Sequence, residues 1–149
     1  MSVRIVVVVG VAAGFALAST TLVSDAAGTL DYDFYKAKVQ PIFLAKRPGH
    51  ARCVMCHAGA NNMLRLEMLA EGQATWTDEQ TRKNFDTVSR IVQAVDDPLT
   101  AKILVHPLAP EAGGDAFHSG GRQFASKNDV NWKIIAQWAQ GATLAPAKK

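Results

Sequence analysis

The sequence predicts an all-α domain. Apolar residues recur at intervals of three and four in several segments, which is the pattern of helices with one buried face. Residues that favour helix starts precede these segments, and no alternating stretch is long enough to build a sheet. We therefore expect a small set of helices joined by loops.

The first predicted helix starts at Asp31 or Asp33, since either side chain can cap it. Its inward face carries four apolar side chains, namely Tyr35, Val39, Ile42 and Phe43. Pro41 lacks the amide proton that a helix interior needs, so it should kink or restart this helix. Further along, residues 63–69 are compatible with either a short helix or an extended segment.

The longest helix is predicted over residues 78–94. Thr77 is followed three residues later by Gln80, which is the spacing of a capping box. Asp78 and Glu79 place negative charge in the first turn, where the helix dipole favours it. The apolar stripe of this helix consists of Phe85, Val88, Val92 and Val95.

A shorter helix is predicted over residues 99–105, opened by Asp97 and Pro98 and stopped at His106. Residues 107–127 are rich in Gly, Pro and small side chains, and so long an irregular stretch in a small domain indicates a functional loop.

The last helix should begin at Asn128 or Asp129 and run to Gln140, with Gly141 as its terminating glycine. Its predicted buried residues are Val130, Ile134, Ile135 and Trp138.

Residues 1–26 are predicted to be a secretory signal peptide. Arg4 precedes an apolar run over residues 5–17, and a small polar region ends near Ala26. The run is shorter than the ~20 residues of a membrane-spanning helix, and an uncleaved anchor is the alternative. We expect cleavage after Ala26, or else after Ala27. Cleavage after Ala26 would leave one domain over residues 27–149, with a frayed C-terminal tail. The mature protein would lie in the periplasm or outside the cell.

Cys53-Val54-Met55-Cys56-His57 has the C-x-x-C-H spacing that attaches haem c covalently. The two thiols add across the vinyl groups at one edge of the porphyrin, and the adjoining imidazole becomes an iron ligand. A redox disulfide would be expected in a βαβ pattern, which the sequence lacks. A structural zinc site needs further paired ligands, and these are the only two cysteines of the chain. The motif therefore predicts one covalently bound haem.

The motifs together are similar to those of the planctomycete-type cytochrome c family. The first is the C-x-x-C-H motif, which follows a helix, and the second is the segment Thr100 to Leu104. The third is His118-Ser119-Gly120-Gly121-Arg122-Gln123-Phe124, and the fourth is a terminal helix with Trp138 and Gly141. The resemblance covers most of the chain after residue 26 and implies a small cytochrome c-like helical domain wrapped around one haem. Members often lie within larger multidomain proteins, whereas we expect a single free-standing domain here.

The axial ligands decide what such a haem does. His57 is the expected proximal ligand, and His118 is the expected distal ligand because the glycines around it allow the backbone to approach the porphyrin closely. His106, which a proline follows, is the competitor. Met63 and Met68 are further alternatives, or else they fill gaps in the core. Two histidine ligands would give a lower potential than a histidine and a methionine.

The expected function is single-electron transfer rather than catalysis, because six-coordinate iron leaves no position for a substrate. A fixed haem subunit of a larger respiratory or extracellular electron-transfer assembly is the first alternative. A peroxidase or gas-binding protein would need an open iron site. Trp76, Trp132 and Trp138 are expected to pack on the porphyrin or in the helical core.

Charge adds little to this prediction. The chain has 16 Lys and Arg against 13 Asp and Glu, and no basic run interleaved with aromatic residues indicates nucleic-acid binding. Lys46, Arg47 and Arg52, together with His50, form a basic cluster just ahead of Cys53. We expect this cluster to dock an acidic redox partner or to offset the haem propionates, or else to be an ordinary solvated turn.

Overall fold

The computed structural model describes residues 30–144, so the predicted signal peptide and the last five residues lie outside the described residues. The described part is all-α, as predicted: it holds no β-sheet, only the isolated bridges Ala58–Leu66 and Leu108–Phe124. None of its helices has the length and apolar character needed to cross a membrane.

The first helix, α1, has three consecutive pieces. They are Tyr32–Phe34 and Gln40–Leu44, which are α-helical, and Tyr35–Val39 between them, which is a wide π turn. Asp31 caps the start, with its carboxylate accepting a hydrogen bond from the N–H of Phe34. The expected kink at Pro41 takes the form of this π turn, in which the N–H of Gln40 reaches back five residues to the carbonyl of Tyr35. Widening the turn relieves the crowding that a proline ring imposes on the preceding turn.

The inward face of α1 is the predicted one, because Tyr35, Val39, Ile42 and Phe43 are all buried. The ring of Tyr35 lies 5.4 Å, centroid to centroid, from the rings of both Phe85 and Trp138. The indole N–H of Trp138 donates to the carbonyl of Asp31 at 2.8 Å, which ties the last helix to the first.

The C-x-x-C-H motif forms one short helix, α2, over Cys53–His57. The chain then turns back at Gly59, so that Leu66 bonds to the carbonyl of His57. Residues 63–69 are not helical: the segment starts in a bend, and Leu66 forms the isolated bridge with Ala58. They are held to the next helix because Asn84 accepts a hydrogen bond from the N–H of Glu67 at 2.8 Å.

The longest helix, α3, spans Asp78–Gln93 and has the predicted capping box of Thr77 and Gln80. Val88 and Val92 of its stripe are buried, and Phe85 packs against that core. This helix supplies one wall of the interior.

The single helix expected over residues 99–105 is wrong. A short 3-10 turn, Pro98–Thr100, is followed by a separate helix, α4, over Lys102–Val105. Ala101 between them is extended, with ψ of 140°. The hydroxyl of Thr100 donates to the carbonyl of Asp97 at 2.7 Å, which gives the backbone a local alternative to helical bonding.

The last helix, α5, spans Val130–Ala139, with Asp129 capping its start and Gly141 following its end at φ of +89°. Ile135 and Trp138 are buried as predicted. The predicted burial of Val130 is wrong, since its side chain is 68% exposed. Trp132 is buried instead, and Val130 lies two residues earlier, about 200° around the helix from that face.

The chain between α4 and α5 is mostly irregular, as predicted, apart from the 3-10 turn Pro110–Ala112. Leu108 and Phe124 are both buried and pair across this loop, where the N–H of Ala109 donates to the carbonyl of Phe124 at 2.9 Å. This pairing fixes the two ends of the loop next to each other.

Candidate functional site

The described chain encloses a cleft of about 480 Å³, to which each of the helices α1 to α5 contributes lining side chains. The apolar walls are formed by Ile42, Phe43, Ile91, Ile103, Phe124 and Ile135, all of which are buried. The volume falls within the roughly 300–1,000 Å³ of small-molecule and cofactor sites. The cleft can therefore take a large apolar group.

Three residues of α2 line this cleft: Cys53, Cys56 and His57. Cys56 and His57 follow Cys53 by three and four residues, a spacing that places side chains on one face of a helix. Both thiols are free; Cys53 is half-buried and Cys56 is exposed. Burial raises the pKa of the Cys53 thiol above its ordinary value. Two thiols and an imidazole thus share one edge of the cleft.

His57 is held through one ring nitrogen. Its Nδ1 lies 2.9 Å from the carbonyl oxygen of Leu64, and a carbonyl can only accept, so Nδ1 carries the proton. The neutral ring then has its lone pair on Nε2. A backbone carbonyl on Nδ1 is a common way of orienting a histidine that binds metal through Nε2.

His118 on the opposite loop is held in the same manner. Its Nδ1 lies 2.5 Å from the carbonyl oxygen of Gly121, while the N–H of Gly121 bonds to the carbonyl of His118 at 2.9 Å. A Cβ on Gly120 would lie 3.2 Å from Cε1 of this ring, so a larger residue there would require the ring to move by a few tenths of an ångström. Burial lowers the pKa of His118, which favours the neutral ring that a metal ligand requires.

The rings of His57 and His118 are nearly parallel, with an interplanar angle of 14° and centroids 6.3 Å apart. A metal–imidazole bond is about 2.0–2.1 Å long and the nitrogen lies roughly 1.1 Å from the ring centroid, so two imidazoles on opposite sides of one metal have centroids roughly 6.2–6.4 Å apart. The observed separation of the two centroids falls within that range. The structure therefore brings together the two histidines that the sequence analysis named as ligands.

His106 also lines the cleft, with its ring centroid 4.8 Å from that of His118. Its Nδ1 lies 2.8 Å from a carboxylate oxygen of Asp115, which also receives a hydrogen bond from Lys102 at 2.8 Å. Hydrogen bonds from Lys102 and then from His106 hold the pKa of Asp115 below its ordinary value. Asp115 was missed by the sequence analysis, because no spacing rule links it to a histidine nine residues earlier.

The methionine alternatives are less well placed. Met63 lines the cleft but is 66% exposed. Met68 is 67% exposed and is absent from the cleft lining; a Cβ on Gly59 would meet its sulfur at 3.3 Å. The histidines are thus the better-placed donors.

The tryptophans belong to the core rather than to the cleft. Each indole N–H bonds to a backbone carbonyl: Trp76 to Glu67, Trp132 to Leu104 and Trp138 to Asp31. None of the three lines the cleft.

Over residues 30–144, no group of three or more His, Cys, Asp or Glu side chains is arranged to hold a metal ion. A haem site does not need such a group, since the macrocycle supplies the equatorial ligands of its iron and the protein supplies the axial ones.

The basic cluster is divided by the fold. Lys46 is exposed and Arg52 lines the cleft. Arg47 instead points inward, pairing with Asp129 and bonding to the carbonyl of Gln123. Its side chain is only 22% exposed, and Arg52 is also half-buried, which leaves Lys46 as the exposed cation of the three.

The cleft, its two thiols and its facing imidazoles are thus features of this chain's own geometry. No family model, curated protein or solved structure matches the chain.

Proposed function

We propose that this chain is an exported mono-haem c-type cytochrome that carries single electrons. The observation that carries the proposal is the C-x-x-C-H turn, whose histidine lines an apolar cleft together with His118, with the two imidazole rings nearly parallel and their centroids 6.3 Å apart. Cys53 and Cys56 would hold the haem by thioether bonds, and His57 and His118 would occupy its axial positions. Bound haem would supply reversible one-electron iron chemistry.

The residues of the chain suit that role in three ways. The carbonyls of Leu64 and Gly121 keep the lone pairs of His57 and His118 on Nε2. The buried apolar walls keep water away, and two rigidly held ligands limit reorganisation when the charge changes. Two imidazoles favour a lower potential than one imidazole and a thioether. Because His57 and His118 would hold the iron from both sides and leave no position for a substrate, we propose a carrier rather than an enzyme.

The proposed carrier works outside the cytoplasm, in the periplasm or extracellularly, where the predicted leader would direct it. Its redox partner would dock near Lys46 and Arg52, whose positive charge suits an acidic surface. A permanent place in a larger respiratory or extracellular assembly would use the same electron chemistry.

A second candidate function rests on His106. Because His106 and Asp115 lie beside His118, displacement of His118 would leave a hydrogen-bonding imidazole on the distal side. Such a site suits peroxide or a diatomic gas. The two candidates differ in whether the iron is six-coordinate in the resting protein.

The full chain expressed in a haem-attaching host tests both. We expect haem that survives denaturing electrophoresis, and a low-spin visible spectrum without the methionine-to-iron charge-transfer band. His118→Ala should convert the iron to high spin, whereas the matched variant His106→Ala should remain low-spin. A chain without covalent haem would overturn the proposal, and a high-spin parent protein would favour the second candidate. An unchanged low-spin spectrum in His118→Ala would remove His118 as the ligand.

A further inference from the structure

Arg47 joins two segments that are far apart in the sequence. These are the approach segment, residues 46–52, which leads into α2, and the distal loop, residues 118–124. The guanidinium donates to the carbonyl of Gln123 in that loop and to the carboxylate of Asp129 at the start of α5. It also lies over the ring of Phe124, at 5.1 Å from the centroid. One half-buried cation thus contacts three residues at or beyond the end of the distal loop.

Gln123 makes the reciprocal connection. Its side chain is 5% exposed, and its amide nitrogen donates to the carbonyl of Ala51 at 3.3 Å and to that of Gly120 at 3.2 Å. Ala51 lies two residues before Cys53, and Gly120 lies two residues after His118. A single buried amide therefore links the backbone next to the attachment motif with the backbone next to the distal histidine.

The other side of the distal loop is fixed by the main chain. The N–H groups of Gln123 and Phe124 both bond to the carbonyl of Pro107, at 2.9 and 3.1 Å. The loop is consequently held between the backbone after α4 and the approach segment. The imidazole of His118 is fixed to the same loop through its hydrogen bond to the carbonyl of Gly121.

We propose that Arg47 and Gln123 are positioning residues that hold the distal loop against the approach segment and so set the separation between the imidazoles of His57 and His118. This inference rests on the proposed function, since it assigns the two residues a role toward the haem. Neither side chain is a ligand. Both act by keeping the distal imidazole in place, which side chains locked by surrounding hydrogen bonds do well.

Cyanide binding to the ferric holoprotein tests the proposal, because an external ligand binds only when the distal imidazole leaves. Arg47→Ala and Gln123→Met should each accelerate cyanide binding by about tenfold or more, as expected when a hydrogen bond to a charged group or a buried amide is lost. Arg47→Lys, which keeps the charge but not the two-pronged geometry, should fall between the parent and Arg47→Ala. Lys133→Ala removes an exposed cation of α5 and is the matched control.

The outcomes separate the two proposals. Covalent haem with unchanged cyanide binding in folded Arg47→Ala and Gln123→Met would overturn the positioning role while leaving the carrier function intact. A parent chain without covalent haem would overturn both. If Arg47→Ala does not accumulate as folded protein, Arg47→Lys and Gln123→Met decide the matter by the same measurement. Acceleration by Lys133→Ala as large as that of Arg47→Ala would also contradict the proposal, since it would show a nonspecific effect of lost charge.

Discussion

Gly114→Ala should destabilise the fold more than Gly113→Ala, although it is Gly113 that has a positive φ, of +93°. A Cβ on Gly114 would lie 1.9 Å from the carbonyl oxygen of Leu108 and 2.9 Å from that of Ala109. Real Cβ atoms are essentially never found closer than 3.0 Å, so the two backbone segments must separate by at least about 1.1 Å. Both obstacles are main-chain atoms, which cannot rotate away.

The size of the effect follows from what this movement breaks. It disrupts the hydrogen bond from the N–H of Gly114 to the carbonyl of Ala109, 3.0 Å long, next to the fully buried Leu108. Overpacking costs about 1–3 kcal/mol and the lost hydrogen bond about 0.5–1.5 kcal/mol. We therefore expect the free energy of unfolding to fall by about 1.5–4.5 kcal/mol. Gly113→Ala meets only the Lys127 ammonium, at 3.9 Å, and its left-handed backbone should cost about 1–2 kcal/mol.

Urea denaturation of the parent chain and both variants, followed by far-UV circular dichroism, measures this difference. A thermal scan should rank them in the same order, with Tm lowered by about 4 °C for each kcal/mol in a domain of this size. Equal destabilisation by the two substitutions, or greater destabilisation by Gly113→Ala, would refute the steric argument.

Three further predictions concern the other elements. Thr77→Ala removes the hydroxyl that accepts a hydrogen bond from the N–H of Gln80, while the backbone N–H of residue 77 can still donate to the Gln80 side chain. The free energy of unfolding should fall by about 1 kcal/mol in a urea titration, and an unchanged value would contradict the role of the cap. The hydrogen bond from Lys36 keeps the pKa of Asp78 below its ordinary value of 3.8. As the pH falls, Asp78 is therefore protonated in the unfolded state before it is protonated in the folded state. The contribution of the Lys36–Asp78 pair to stability is thus lost below about pH 4. In Asp78→Asn, the free energy of unfolding should therefore fall less steeply with decreasing pH in the acid range. An equally steep fall in the variant and the parent chain would argue against a role for the Lys36–Asp78 pair. In protein prepared without haem, iodoacetamide should label the exposed Cys56 before Cys53, because burial raises the pKa of the Cys53 thiol. Peptide mass mapping at timed quenches measures this order, and the opposite order would contradict the prediction.

Elements whose signal is local in the sequence were predicted correctly. The capping box at Thr77 and the stripe through Val88 and Val92 identified α3, because both lie within the helix that they describe. The break at Ala101 was missed because the hydroxyl of Thr100 competes with helical bonding only in the observed geometry. Gly114 shows the same limit, since its need for glycine comes from Leu108, six residues away in sequence and adjacent in space.

For the candidate site, the C-x-x-C-H spacing named three side chains that do line the cleft, and the glycines around His118 pointed to a fourth. The contacts that hold these side chains were not predicted. The carbonyl of Leu64 on His57 is a main-chain atom without a sequence signature. The inward direction of Arg47 depends on Asp129, which only the tertiary structure brings near.

The ion pair between Arg47 and Asp129 also affects how the molecule opens. Its partners are 82 residues apart in the sequence, so it forms only after both ends of the domain have folded onto each other. Any fluctuation that frees α5 from its neighbours must first break this link. When Arg47 is replaced, amide hydrogen exchange in α5 and in the approach segment should therefore accelerate together. Such a joint change would make these two segments one cooperative unit of unfolding.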